Sequence, residues 1–307
     1  MPDDFGLAVT LAQADIDVWG IDQAWTLVPA EVTDLTFMAD WDMERNVADL
    51  DTAIRIARTI RRLTGNGYRQ MALLGYSSGA VTSLALLNAE TQIPPGRRQV
   101  CGFIAGDYGM LSDDPDWIAG FEEEDPQLLE MIQLGIYYLE SPFPIFGFPA
   151  LYAPDDSSEL IPGLTNLQAG IGLGAWVGYP GTYYHFVAGI FDEFGIPVGL
   201  QYTQVDMWVD FMVTGPPYEA LPFYIDCSRC GIPSIEVPWD DHLSEIALPV
   251  FRVNAVGGAG EYAGYTFEVM TSADITRIDI GFHPPEEILL EFAHVDLFIA
   301  DDAPTLV

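Results

Sequence analysis

Residues 75–79 read Gly75-Tyr76-Ser77-Ser78-Gly79, a G-x-S-x-G pattern. The pattern follows a short apolar run, 71–74, and precedes an apolar segment over about 80–87. This strand–turn–helix setting says more than the five letters do. A nucleophile on a tight, strained turn leaves room only for small residues two places before and after it. The turn lifts the Ser77 hydroxyl over a sheet edge. It also aims the N–H of Ser78 at the position where an oxyanion forms. The chemistry is covalent acyl transfer, and a serine hydroxyl needs a base for it, normally a histidine. The chain offers His185 in an aromatic stretch, His242 among Asp240, Asp241 and Glu245, His283 before Pro284-Pro285, and His294 in Phe292-Ala293-His294-Val295-Asp296. The competing account of the motif is a Gly-rich turn with two helix-capping serines.

The elements that position these residues follow from periodicity. Residues 5–14 predict a helix and 16–22 a short buried strand. Asn46 is expected to cap a helix reaching about residue 63, with Val47, Leu50, Ile54 and Ala57 at helical spacing. Asp49 and Asp51 lie early in it and Arg58, Arg61 and Arg62 late, which suits the helix dipole. Gly65-Asn66-Gly67 ends it. A strand over 71–74, a helix over 80–87 and a strand over 100–105 complete an alternating α-β order. Short connections in that order predict a mostly parallel sheet flanked by helices, an α/β fold. From 110 to about 245 the pattern changes to an aromatic, Pro- and Gly-punctuated stretch with helices expected over 127–139 and 208–212. It reads as an inserted cap or lid. The sheet resumes with a strand over 250–256, a helix over 261–270 and a strand over 275–280. The expected organisation is 1–109 and 246–307 as the two parts of the core, with 110–245 between them.

Three pieces in chain order resemble the α/β-hydrolase superfamily, in its lipase/esterase-like branch. They are the 16–22 strand, the 75–79 elbow and the Ala293-His294-Val295-Asp296 segment. The resemblance implies that Ser77 is the nucleophile and His294 the general base, on the loop after the last strand. It places the triad acid between them in chain order. Glu261, after the strand over 250–256, is the first choice, and Asp107, after the strand over 100–105, is the other. The implied activity is hydrolysis of carboxylic esters through an acyl-enzyme, with Ser78 supplying an oxyanion N–H and no metal or cofactor needed. The chain departs from the family by having 15 residues before its first expected strand, no His-Gly motif for a second oxyanion donor, and little sequence after His294. It therefore reads as trimmed at both ends. The alternative reading is a catalytically incomplete hydrolase fragment or a binding module with an aromatic lid.

The 307 residues carry 46 Asp and Glu against 11 basic residues, all Arg, for a net charge of −35. Such a surface excludes a nucleic-acid partner and disfavours anionic membranes. The acidity suits solubility in a saline setting or is compositional drift, and 50% apolar residues argue against the saline account. Cys101 reads as core. Cys227 and Cys230 form a C-x-x-C that is a local disulfide or two free thiols, since zinc would need ligands beyond His242. No signal peptide is visible at the start.

The run 161–191 carries no Asp, Glu or Arg but is broken by Pro and Gly, so it reads as buried or substrate-facing rather than a membrane span. The aromatic residues Phe143, Phe146, Phe148, Trp176, Tyr179, Tyr183, Tyr184, Phe186 and Phe191 suit either an apolar substrate group or the lid's own core. A Gly258-x-Gly260 run after a strand, with Asp279 beyond it, weakly matches a dinucleotide fingerprint, and Gly170-Ile171-Gly172-Leu173-Gly174 does so more weakly. Close backbone packing beside a catalytic acid is the simpler account of residues 257–260.

Overall fold

The structure is a computed structural model that describes residues 6–178 and 182–303. In chain order the helices are α1 (Leu7–Gln13), α2 (Met43–Leu63), α3 (Ser78–Thr91), α4 (Pro115–Gln133), α5 (Pro142–Tyr152), α6 (Asn166–Ala175), α7 (Val205–Thr214), α8 (Leu221–Cys230), α9 (Tyr265–Glu268) and α10 (Asp296–Ile299). The strands are β1 (Met71–Tyr76), β2 (Val100–Gly106), β3 (Tyr138–Glu140), β4 (Gly189–Phe191), β5 (Pro197–Leu200), β6 (Tyr218–Ala220), β7 (Val250–Ala255) and β8 (Ile275–Ile280).

The four strands β1-β2-β7-β8 form one parallel sheet in that order, the α/β architecture that the alternation predicts. All four run the same way, so the loops that leave their C-terminal ends gather along one edge. α3 is apolar almost all round, and every residue from Ala80 to Asn88 is buried. A helix with no polar face must be covered on every side. It lies against β1 and β2, and against α2 and α8. Phe223 of α8 meets Trp25 with ring centroids 4.8 Å apart. The segment 110–245 thus packs into the main core through α8. A second apolar core gathers α5, α6 and α7 around Trp208, and Val295 and Ile299 beside His294 join it.

The stretch 16–22 is not a strand. It runs as coil with Ile16 51% and Trp19 41% exposed. Burying it between sheet neighbours would desolvate Asp17 and Asp22, which is costly for unpaired carboxylates. Asp17 instead pairs with Arg61 near the end of α2. The cap of α2 is Asp42, not Asn46: Asp42 accepts from the Arg45 N–H at 3.0 Å, and Asn46 lies one turn inside, donating to the Asp42 carbonyl. The helix expected over 127–139 begins at Pro115 instead and ends at Gln133, after which Gly135 at φ 79° turns the chain into β3. Only 265–268 of the helix expected over 261–270 forms. Cys101 is exposed on β2 rather than in the core, and Cys227 and Cys230 are free thiols within α8.

The Gly170–Gly174 run lies inside α6. A Cβ on Gly174 would stand 2.5 Å from the Trp208 ring of α7, so these glycines serve helix packing. No helix among the described residues is long and apolar enough to cross a membrane. Tyr179, one of the aromatic residues above, and residues 180–181 of the uncharged run lie outside the described residues.

Candidate active site

Ser77 sits between β1 and α3 at φ 53°, ψ −131°, a conformation that L-residues rarely adopt. Its N–H donates to the Gly106 carbonyl at 3.2 Å and its carbonyl accepts from Ala80 N–H at 2.8 Å, which fixes the strained turn from both sides. The two flanking glycines differ. A Cβ on Gly75 would lie 2.5 Å from Ser83 Oγ and 2.7 Å from Ala80 Cα, so the close approach of α3 requires glycine there. A Cβ on Gly79 would meet nothing within 4 Å, so the expectation that both places admit only small residues holds at Gly75 alone. Gly79 instead borders a cavity of about 660 Å³ that Ser77 and Ser78 also line. Ser78 is the first residue of α3, where an N–H has no acceptor within the helix.

Asp107 follows β2 at φ 48° and is completely buried. Its Oδ1 accepts from the N–H groups of Ala255 at 2.8 Å and Gly260 at 3.1 Å. Its Oδ2 accepts from Ala259 N–H at 3.0 Å and faces His294 Nδ1 at 2.7 Å. A carboxylate offers only acceptors, so this contact puts the proton on Nδ1 and leaves Nε2 as the basic nitrogen. Glu261 does not reach His294. Its exposed carboxylate pairs with Arg277. The loop after β7 passes close to Asp107 with its glycine backbone and turns Glu261 outward. A Cβ on Gly258 would stand 1.9 Å from Asp107 Oδ2, and one on Gly260 2.7 Å from Oδ1. The glycine run therefore wraps a carboxylate of the chain. Gly258→Ala is expected to lower stability by about 2–3 kcal/mol in urea denaturation, as overpacked sites do, whereas Gly79→Ala changes it by less than about 1 kcal/mol.

His294 is buried among rings. Tyr76 stacks on its imidazole with centroids 4.6 Å apart, and Tyr184 meets it edge-on at 5.5 Å. The Tyr76 hydroxyl donates to the His294 carbonyl at 3.0 Å. The residue directly before Ser77 thus clamps the histidine. Among the described residues no hydrogen bond joins Ser77 Oγ to His294, and His294 does not line the cavity that Ser77 borders.

The other histidines are placed elsewhere. His185 is fully buried, its ring nitrogens facing the carbonyls of Tyr183 and Glu291, and burial pulls its pKa down. Its own carbonyl accepts from His294 N–H, so it supports that loop. His242 pairs with Glu245 and His283 with Glu287. No group of three or more His, Cys, Asp or Glu among the described residues is arranged to hold a metal ion.

Two residues escaped the sequence reading. Tyr76 is the variable letter of the motif, and only its contact reveals its part. Asp296, two places after His294, is fully buried and accepts from Ala188 N–H at 2.9 Å, Ala293 N–H at 3.1 Å and Thr203 Oγ1 at 2.5 Å. It ties the His294 loop to residues of the 110–245 segment. Burial pushes its pKa from 3.8 up to about 6 against these donors. A folded pKa above the unfolded one means that the folded state holds the extra proton between these values. The stability linked to that proton is complete below pH 3.8 and is lost as pH rises through about 6. The stability of the wild type relative to Asp296→Asn is therefore expected to fall from pH 4 to pH 7, by up to about 3 kcal/mol in paired urea titrations.

A four-stranded parallel sheet thus carries a serine turn after one strand, an aspartate after the next and a histidine after the last, with the aspartate and the histidine in contact. Solved structures similar to this chain include a protein described as a non-heme bromoperoxidase from Mycobacterium tuberculosis (11% identity, TM-score 0.40, covering 83% of this chain and 68% of that one). They also include the monoacylglycerol lipase of Paleococcus ferrophilus (11%, 0.39, 75% and 64%). A metagenome-derived lipolytic enzyme matches at 11% and 0.40, over 88% of this chain and 72% of that one. No protein-family profile and no curated protein sequence matches the chain.

Proposed function

We propose that this chain is a serine hydrolase that cleaves carboxylic esters through an acyl-enzyme. Ser77 Oγ attacks the ester carbonyl while His294 Nε2 takes its proton. Asp107 holds the imidazole by Nδ1 and stabilises the imidazolium. The Ser78 N–H steadies the oxyanion. The C–O bond to the alcohol then breaks and the alcohol leaves with the proton from His294. Water, deprotonated by the same nitrogen, attacks the acyl carbonyl and frees Ser77 and the acid.

The observation that carries this reading is the buried 2.7 Å contact of Asp107 with His294, whose ring is stacked on the neighbour of a strained serine. The segment 110–245 acts as the cap: Phe143 and Phe211 line the cavity beside Ser77 and suit an apolar acyl or alcohol group. The same two rings also pack with Trp208 and Phe186, so aromatic residues of this segment serve its apolar core as well.

A second reading, a binding module without turnover, draws on the missing hydrogen bond between Ser77 and His294. Reaction with a fluorophosphonate probe, mapped by mass spectrometry, separates the two. Labelling at Ser77 that disappears in His294→Ala, with turnover of p-nitrophenyl esters, supports the hydrolase. A folded chain that neither labels nor turns over any ester of the series favours the binding module.

A further inference from the structure

The cavity beside Ser77 has a one-signed wall. Its charged lining residues are Asp22, Asp49 and Glu219, with no arginine among them. Asp22 is exposed, and Asp49 is exposed with Arg45 3.8 Å away, so these two belong to a solvated rim. Glu219 differs. It lies on β6, opposite Leu139 of β3, and is largely buried. Its carboxyl makes no hydrogen bond or ion pair with any described residue, and the residue lines the cavity. A carboxyl taken out of water without a partner is costly unless a ligand supplies one. Burial alone pushes its pKa up to about 7. Trp25, Phe143, Phe211 and Tyr218 line the same cavity, and aromatic faces attract cations.

From this we infer that the cavity selects esters carrying a positively charged ammonium group, which Glu219 pairs with while Ser77 attacks the ester. The inference deepens the serine hydrolase reading and rests on it for turnover, but not for binding. The net charge of −35 favours the same partners, because it draws cations toward the protein and repels anionic substrates.

The test compares two butanoate esters of equal shape, the 2-(trimethylammonio)ethyl ester and the 3,3-dimethylbutyl ester, which differ in charge. The ratio of their kcat/KM values, cationic over neutral, is expected to exceed about ten, and to fall about tenfold in Glu219→Gln, the loss of one partly desolvated charge pair. A wild-type ratio near or below one, or a ratio that Glu219→Gln leaves unchanged, overturns the inference while leaving the hydrolase intact. If neither ester is cleaved and Ser77 does not label, the hydrolase reading fails instead. Calorimetry then decides the inference alone. Tighter binding of the cationic ester by wild type, lost in Glu219→Gln, supports it, and equal binding of both esters overturns it.

Discussion

Replacing Ser77 with alanine is expected to lower kcat/KM for an activated ester by at least about 10⁴-fold, the scale of losing a catalytic serine. The same position separates chemistry from stability. At φ 53°, ψ −131° a Cβ is strained, whereas glycine is not. Ser77→Gly is therefore expected to be as inactive as Ser77→Ala yet more stable by about 1 kcal/mol, since that is the order of the strain at such backbone angles. Parallel urea titrations and p-nitrophenyl ester assays check both halves. Equal stability of the two variants would mean that the turn is not strained in solution. Retained activity in either would remove Ser77 from the mechanism.

The second large effect lies at Asp107. Asp107→Asn places an amide where two oxygens now accept from three backbone N–H groups and one imidazole. If its oxygen serves the backbone, its NH₂ faces His294 Nδ1 and forces the proton to Nε2, the wrong tautomer for a base. A loss in kcat of about 10³–10⁴ is expected, together with about 2–4 kcal/mol of stability from buried donors left unpaired. Glu261→Gln is expected to leave kcat within about twofold and stability within about 1 kcal/mol, because it removes only an exposed ion pair. The two variants, assayed side by side for rate and unfolding midpoint, decide which carboxylate serves the histidine. A rate loss at Glu261 with none at Asp107 would reverse the assignment.

The serine turn was legible in the sequence because its constraints are local: a strand, a glycine pressed by the next helix and an apolar helix all lie within residues 71–91. His294 was singled out by its late place in the chain, and the structure sets it against Asp107. Which carboxylate meets His294 was not legible, since Glu261 and Asp107 both follow strands of the right kind. What separates them is the path of a loop. The glycines at 257–260 were recognised as close packing around an acid, but the acid they enclose lies about 150 residues earlier in the chain. Residues 16–22 show a different failure. A short apolar run carries no sign of whether a neighbouring strand will pair with it, and the aspartates within it keep it in water. The β3–β6 pair, which sets Glu219 in the cavity wall, joins segments about 80 residues apart and leaves no periodic trace.

The contacts of Asp107 also order events in time. Among the described residues, every hydrogen bond to its side chain comes from residues 255–260 or from His294. Synthesis runs from the N-terminus, so β1, the serine turn and α3 leave the ribosome long before any of these partners exist. A partly made chain holds Ser77 without His294, and Asp107 without the N–H groups that enclose it. On the proposed assignment, reactivity is withheld until the last sixth of the chain docks on the sheet, so that hydrolysis reports completed folding and an interrupted chain is chemically silent.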